Sequence, residues 1–224
     1  MSGAFHPETL SLLKWKGILR SMVFTETEHT IPEYSFSELT ERIKAYLECN
    51  LKEKRITHTY SVVQEAGKLA EKYGQDAEKA RFAALCHDMC RGMSTAVLNM
   101  YIRQLGLPKA LIDRPNLSHG KVAAEILKKD YGIDDEEIIN AVSYHTTGRA
   151  GMSVFEKIIF LADAIEPGRT YPTVDETRAL AYVDLDRACI NSLERTIEFI
   201  EGTGGYLDPD TIEARDDLKE NLKL

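Results

Sequence analysis

From about residue 36 onward the 224-residue chain repeats one pattern, apolar residues three and four apart in stretches closed by glycine, proline or a capping polar residue. Strand-like alternation is hard to find, and no repeat or low-complexity tract interrupts the series. The expected fold class is therefore all-α, a helical bundle around one main core. "SFSELTERIKAYLECN" opens with Ser35 and Glu38 at capping-box spacing. "HTYSVVQEAGKLAEKYG" stops at Gly74, and "QDAEKARFAALCHDMC" restarts after Asp76 as N-cap. Ser118 is expected to cap the next helix and Gly132 to end it, "DDEEIINAVSYHT" starts with acids suited to a helix N-terminus, and "SVFEKIIFLADAIE" stops before Pro167. A long helix then runs into the glycines at 202–205, and a last one starts from Asp208 with Pro209 in its first turn. Residues 1–35 fit the pattern poorly and are set apart as an N-terminal extension, a short helix around residues 10–22 plus a linker, leaving 36–224 as the domain.

Composition excludes several function classes. A formal charge of −8 argues against a nucleic-acid partner, which needs clustered Lys and Arg. No apolar run approaches the roughly 18 residues of a membrane span. The N-terminal stretch lacks a signal peptide's apolar block, so the expectation is a soluble, cytoplasmic protein without a membrane partner. Four cysteines, Cys49, Cys86, Cys90 and Cys189, are too scattered for a disulfide framework, and Cys86 with Cys90 read as small core thiols.

The informative residues are polar groups on apolar stripes. His58 is in register with Val62, Ala66, Leu69 and Tyr73, and His87 and Asp88 with Ala80, Ala83 and Ala84. His119 lines up with Val122, Ala123, Ile126 and Leu127, His145 with Ile138, Ala141 and Val142, and Asp163 with Phe155, Ile158, Ile159 and Ala162. The three alanines let a neighbouring helix approach closely. A single such histidine reads as a satisfied core residue. Imidazoles and carboxylates aimed inward from five helices do not, because each buried group without compensation costs several kcal/mol or must shift its pKa.

A bound metal removes that cost. Imidazole nitrogen mixed with carboxylate oxygen suits Fe, Mn, Co, Ni or Zn, and without cysteine ligands the set does not read as a structural zinc site. Four His and two Asp suffice for two ions bridged by Asp88, or for one six-coordinate ion with histidines left over to hold substrate.

The ordered set His58, His87-Asp88, His119, His145 and Asp163 resembles the signature of the HD-domain metal-dependent phosphohydrolases. The flanking stretches "RITH" at 55–58, "YHTTGR" at 144–149 and "ADAIEPGR" at 162–169 resemble the bacterial YqeK-type members, symmetrical diadenosine tetraphosphate hydrolases, over about residues 36–222. The resemblance implies an HD-domain bundle with its metal site in the helix core, iron as the ion (one or two), and hydrolysis of the dinucleotide polyphosphate to two ADP. It implies His58, His87, Asp88 and Asp163 as primary ligands, with His119 and His145 on a second ion or the phosphates. It further implies Arg55, Thr146 and Arg169 as nucleotide contacts, to which Arg149 is added, and closure of the "GYLDPDT" stretch with Tyr206 over the ligand. A homodimer is compatible with it. Asp88 and Arg91 stand nearest the chemistry. The family usually has lysine where this chain has Arg91, which keeps a bidentate fork for phosphate but forgoes proton transfer at neutral pH.

The expected chemistry is attack by a metal-held water in line with the departing ADP, with Arg55, Arg91 and Arg169 neutralising phosphoryl charge. Thr146 and Thr147 can equally cap a helix end, Arg149 can equally be a solvated turn residue, and Glu166 can either orient a ligand histidine or pair with Arg169. The competing expectations are an HD phosphohydrolase acting on a nucleoside mono- or triphosphate or a guanosine alarmone, and a nucleotide-binding sensor without turnover.

Overall fold

The computed structural model describes residues 35–223, so the readings made for the N-terminal extension lie outside the described residues. In chain order the elements are α1 (Phe36–Asn50), α2 (Glu53–Lys72), α3 (Ala77–Cys86), α4 (Thr95–Gln104), a 3-10 turn (Lys109–Leu111), α5 (Pro115–Tyr131), α6 (Glu136–Tyr144), α7 (Val154–Ile165), α8 (Val174–Ala181), α9 (Leu185–Thr203) and α10 (Pro209–Leu222). The described residues contain no strand, as the periodicity requires. None of these helices is long and apolar enough to cross a membrane.

The centre of the bundle is α7, which packs against α2, α3, α6, α8 and α9. Its sequence VFEKIIFLADAI is apolar nearly all round, and such a helix has no face to give to water. Ile158, Ile159 and Leu161 are fully buried, each stabilising the fold by about 2 kcal/mol relative to exposure. Ala80, Ala83 and Ala84 have no exposed surface, and their short side chains allow the close α2–α3 packing. The capping signals hold at several ends. Ser35 and Glu38 form a capping box, the Asp76 carboxylate accepts from Lys79 N, Gly132 closes α5 at φ 68°, and Asp208 caps α10.

The helix boundaries differ from expectation at two places that matter for the site. The first helix boundary lies at Cys86, so His87 and Asp88 stand in the turn that follows α3 rather than within it. Met89 N donates to Cys86 O and Arg91 N to Asp88 O, and these three-residue closures keep a near-helical path. His87 has φ −52° and ψ −42°, so the apolar register runs through the boundary unbroken. The second concerns α5, which starts at Pro115 and leaves Ser118 buried inside the helix instead of capping it. Proline at the first helical position presets φ and has no N–H to leave unbonded, which makes it the stronger start signal. The sequence reading also passes over α4, although Ser94 caps it, and α8, which starts from Thr173 at φ 68° with no side-chain cap to announce it.

Candidate metal centre

Four imidazoles converge on two carboxylates where α2, α5 and α7 meet the C-terminal ends of α3 and α6. Each ring is anchored through Nδ1. His87 Nδ1 lies 2.5 Å from Ala84 O, His119 Nδ1 3.0 Å from Pro115 O and His145 Nδ1 2.7 Å from Val142 O, all acceptors three or four residues back. His58 Nδ1 lies 3.1 Å from Glu166 Oε1, across the bundle. Carbonyl and carboxylate oxygens only accept, so each Nδ1 carries the hydrogen and donates it. In the neutral tautomer every Nε2 then presents a lone pair to the interior.

Those lone pairs face Asp88 and Asp163. His58 Nε2 is 3.0 Å from Asp163 Oδ1 and 3.8 Å from Asp88 Oδ2, His87 Nε2 is 3.6 Å from Asp88 Oδ2, and His119 Nε2 is 3.0 Å from Asp88 Oδ1. His119 Nε2 and His145 Nε2 stand 3.0 Å apart. His58 Nε2 and His87 Nε2 are buried and without a hydrogen-bond partner among the described residues. Two overlapping sets, His58–His87–Asp163 and His87–Asp88–His145, each bring three ligand atoms within 4.8 Å of one another. A divalent cation fits this donor set: it would engage the orphaned nitrogens, separate the facing lone pairs and offset two buried carboxylates.

The electrostatics agree. Burial would raise the Asp88 carboxyl, but positive charge placed at the neighbouring His87 and His119 outweighs burial and holds the group well below the usual carboxylate range, the same stabilisation a cation among these Nε2 atoms would give. Burial opposes ionisation of Asp163 too, and is outweighed by the His58 ring 3.0 Å away and the Arg169 guanidinium. Burial, with His119 and His87 close by, pushes His145 down to about 3, which keeps its ring neutral and its Nε2 an acceptor. Cys86 and Cys90 lie outside both ligand sets, and burial raises their thiols far above neutrality, as expected of core residues.

Around the centre the structure distributes the other anticipated residues. Arg55 Nη1 donates to Asp88 Oδ2 at 2.7 Å, and Arg169 binds Asp163 through both its carboxylate and its backbone carbonyl. Arg91 is on the N-terminus of α5, donating to Asn116 Oδ1 at 2.8 Å. Thr146 Oγ1 donates to His145 Nε2 at 3.1 Å. Glu166 takes up both roles left open for it: it accepts from His58 at 3.1 Å and lies 3.8 Å from Arg169 Nε. Arg149 is instead forked onto the buried Glu156, with both bonds at 2.7 Å, within the capping box of α7. Tyr206 is exposed and lies under the Arg114 guanidinium, 4.0 Å from its ring centroid.

Two supporting residues were not found by sequence reasoning. Gly120, beside His119, faces His145 so closely that a Cβ there would sit 2.8 Å from His145 Cε1 and 2.8 Å from Val142 O. Only glycine permits that approach. Arg178 donates to the backbone carbonyls of Ile165, Glu166 and Arg169, fixing the segment after α7 that carries two site residues. A glycine directly after a stripe histidine was a readable signal for the first, and nothing local marked the second.

Comparison with known proteins is consistent with this centre. Residues 55–168, which include all six of these His and Asp residues, match the HD domain. The chain is 39% identical over 172 residues to the symmetrical bis(5'-nucleosyl)-tetraphosphatase of Bacillus subtilis (strain 168), covering 76% of this chain and 92% of that protein. It is 40% identical over 163 residues to the protein of that name from Staphylococcus aureus (strain NCTC 8325 / PS 47), covering 71% and 84%. A crystal structure from Clostridium acetobutylicum, titled as an HD superfamily hydrolase involved in NAD metabolism, superposes with a TM-score of 0.78 at 41% identity over 84% of this chain and 98% of that one.

Proposed function

The chain belongs to the HD-domain family, and from that membership we infer that it hydrolyses diadenosine tetraphosphate symmetrically, yielding two ADP. The observation that carries this reading is the convergence of four Nε2 lone pairs on two carboxylates inside the bundle, at the positions matched to the HD domain. His58, His87, Asp88 and Asp163 would hold a divalent cation there, with His119 and His145 as further ligands or phosphate contacts, and it would supply a nucleophilic water at neutral pH and positive charge for the phosphoryl oxygens. Iron is the ion we propose. The reaction joins the oxygen of water to one of the two inner phosphorus atoms and releases the bridging oxygen with the other ADP.

The chain's own residues do the rest. The carbonyl and carboxylate anchors on Nδ1 fix the four rings, so no reorientation is needed as charge develops. Arg55 and Arg169, each about a third exposed and seated on a ligand carboxylate, are placed to exchange that partner for phosphate oxygens. Arg91 offers a fork to phosphate from the N-terminus of α5, and the Thr146 hydroxyl offers a donor beside His145. Burial of His87, Asp88, His119 and His145 excludes bulk water from the floor of the site.

The test is to incubate metal-loaded protein with diadenosine tetraphosphate and separate the products. ADP alone is the expected result, whereas ATP with AMP would overturn symmetric cleavage. Tight ADP binding without turnover would support the sensor instead.

A further inference from the structure

Next to the His/Asp centre lies a cavity of about 270 Å³ whose walls include His145, Thr146, Asp163, Arg169, Tyr171 and Arg195. It touches the centre through His145 and Asp163 but includes neither Asp88 nor Arg55, so it lies to one side. Two buried polar atoms on these lining residues, Tyr171 Oη and Arg195 Nε, have no hydrogen-bond partner among the described residues. A buried donor without a partner is destabilising, and a charged one more so, unless a ligand or water engages it.

Among the described residues Arg195 lacks an acid, as do Arg91, Arg103 and Arg114, but unlike those three its side chain donates to no oxygen. Acidic residues outnumber Lys and Arg by 36 to 28, and arginines such as Arg149 and Arg178 are forked onto or paired with carboxylates. Arg195 has no carboxylate partner among the described residues. Its Cζ instead sits over the Tyr171 ring, 3.7 Å from the centroid. Stacking of that kind holds the planar guanidinium in place while leaving its N–H edge free for an anion. The loop that supplies Tyr171 is itself held under strain. Thr173, a β-branched residue, stands at φ 68°, where non-glycine residues rarely go, and Arg178 pins the preceding carbonyls of Glu166 and Arg169.

We propose that this cavity is the subsite for the second nucleoside diphosphate half of the dinucleotide, with Arg195 donating to its phosphate oxygens and the Tyr171 hydroxyl assisting. The proposal rests on the symmetric hydrolase reading above, which requires two like halves on either side of the scissile bond. One half lies toward Arg55 and Arg91, reached through Asp88. The other lies toward Arg169 and Arg195, reached through Asp163. An arginine with no oxygen acceptor among the described residues, stacked on an aromatic ring and lining a cavity beside the reacting centre, is suited to a diphosphate rather than to an uncharged group.

The experiment is calorimetric titration of the metal-loaded full chain with ADP, read beside steady-state kinetics on the dinucleotide. The wild type is expected to bind two equivalents of ADP. Arg195→Ala is expected to lose one of them while keeping the other within about threefold in affinity, which also shows that the variant folds. Its KM for the dinucleotide should rise about 10- to 100-fold, the effect of one lost charged hydrogen bond. Arg195→Lys, which keeps the charge but not the planar fork, should fall between. A wild type that binds a single ADP, or an Arg195→Ala variant that keeps both equivalents, would overturn the subsite. A wild type that leaves the dinucleotide intact would instead remove the hydrolase reading, while the ADP titration still decides the subsite.

Discussion

The floor of the site and its rim are held by different kinds of interaction. On the floor, His87, His119 and His145 each donate Nδ1–H to a carbonyl three or four residues earlier in the chain, and their side chains are 0%, 4% and 1% exposed. At the rim, Arg55 reaches an aspartate 33 residues away, Arg169 folds back six residues onto Asp163, and both side chains are 35% exposed. These three rings are therefore set by local backbone geometry and need no ligand to orient them, while His58 is held across the bundle by Glu166. The rim rests on long side chains whose present carboxylate partners a polyphosphate can replace. Substitutions on the floor should remove metal and activity together, and substitutions on the rim should weaken substrate binding while leaving the metal in place.

The largest effect is expected for Asp88→Ala, which removes the carboxylate nearest His87 and His119. Metal content should fall below stoichiometry and turnover by more than about a thousandfold. Elemental analysis of the purified variant checks it, and full metal occupancy would break the division between floor and rim. Gly120→Ala comes next, because its methyl group would enter the space of His145 and of Val142 O. Displacing one ring should weaken metal binding by about 10- to 100-fold in a chelator competition, with the helix content unchanged by circular dichroism. Arg55→Ala should retain metal at the wild-type stoichiometry and raise KM for the dinucleotide by about 10-fold or more. If it loses metal instead, Arg55 belongs functionally to the floor. The smallest effect is expected for Cys86→Ala, which should keep metal content and kcat and lower stability by about 1 kcal/mol in denaturant unfolding.

The same contrast explains what could be read from the sequence. Floor residues were legible because a 3.6-residue period places His58, His119 and Asp163 on apolar faces that burial must cover. His87 and His145 were legible for a subtler reason. Both stand at a helix C-terminus with right-handed φ and ψ, so the register survives a boundary that the sequence does not mark. The start of α5 was misplaced because Ser118 and Pro115 are both start signals, and only packing shows which one the chain uses. Rim features were less legible. The grip of Glu156 on Arg149, the three carbonyls bound by Arg178, and the stacking of Arg195 on Tyr171 all link helices or loops through side-chain tips. No periodicity in sequence encodes such contacts. Gly120 falls between: its neighbour His119 was found, but the close approach that requires glycine is a property of α5 against α6.

The central claim is that the four Nε2 atoms and two carboxylates form a metal-binding floor, and anomalous diffraction tests it most directly. Crystals grown with Mn²⁺ or Fe²⁺ should show an anomalous peak bounded by His58, His87, Asp88 and Asp163, with His119 and His145 turned toward it or toward a second peak. No peak among these side chains at saturating metal, with Arg55 and Arg169 still seated on the two aspartates, would contradict the account.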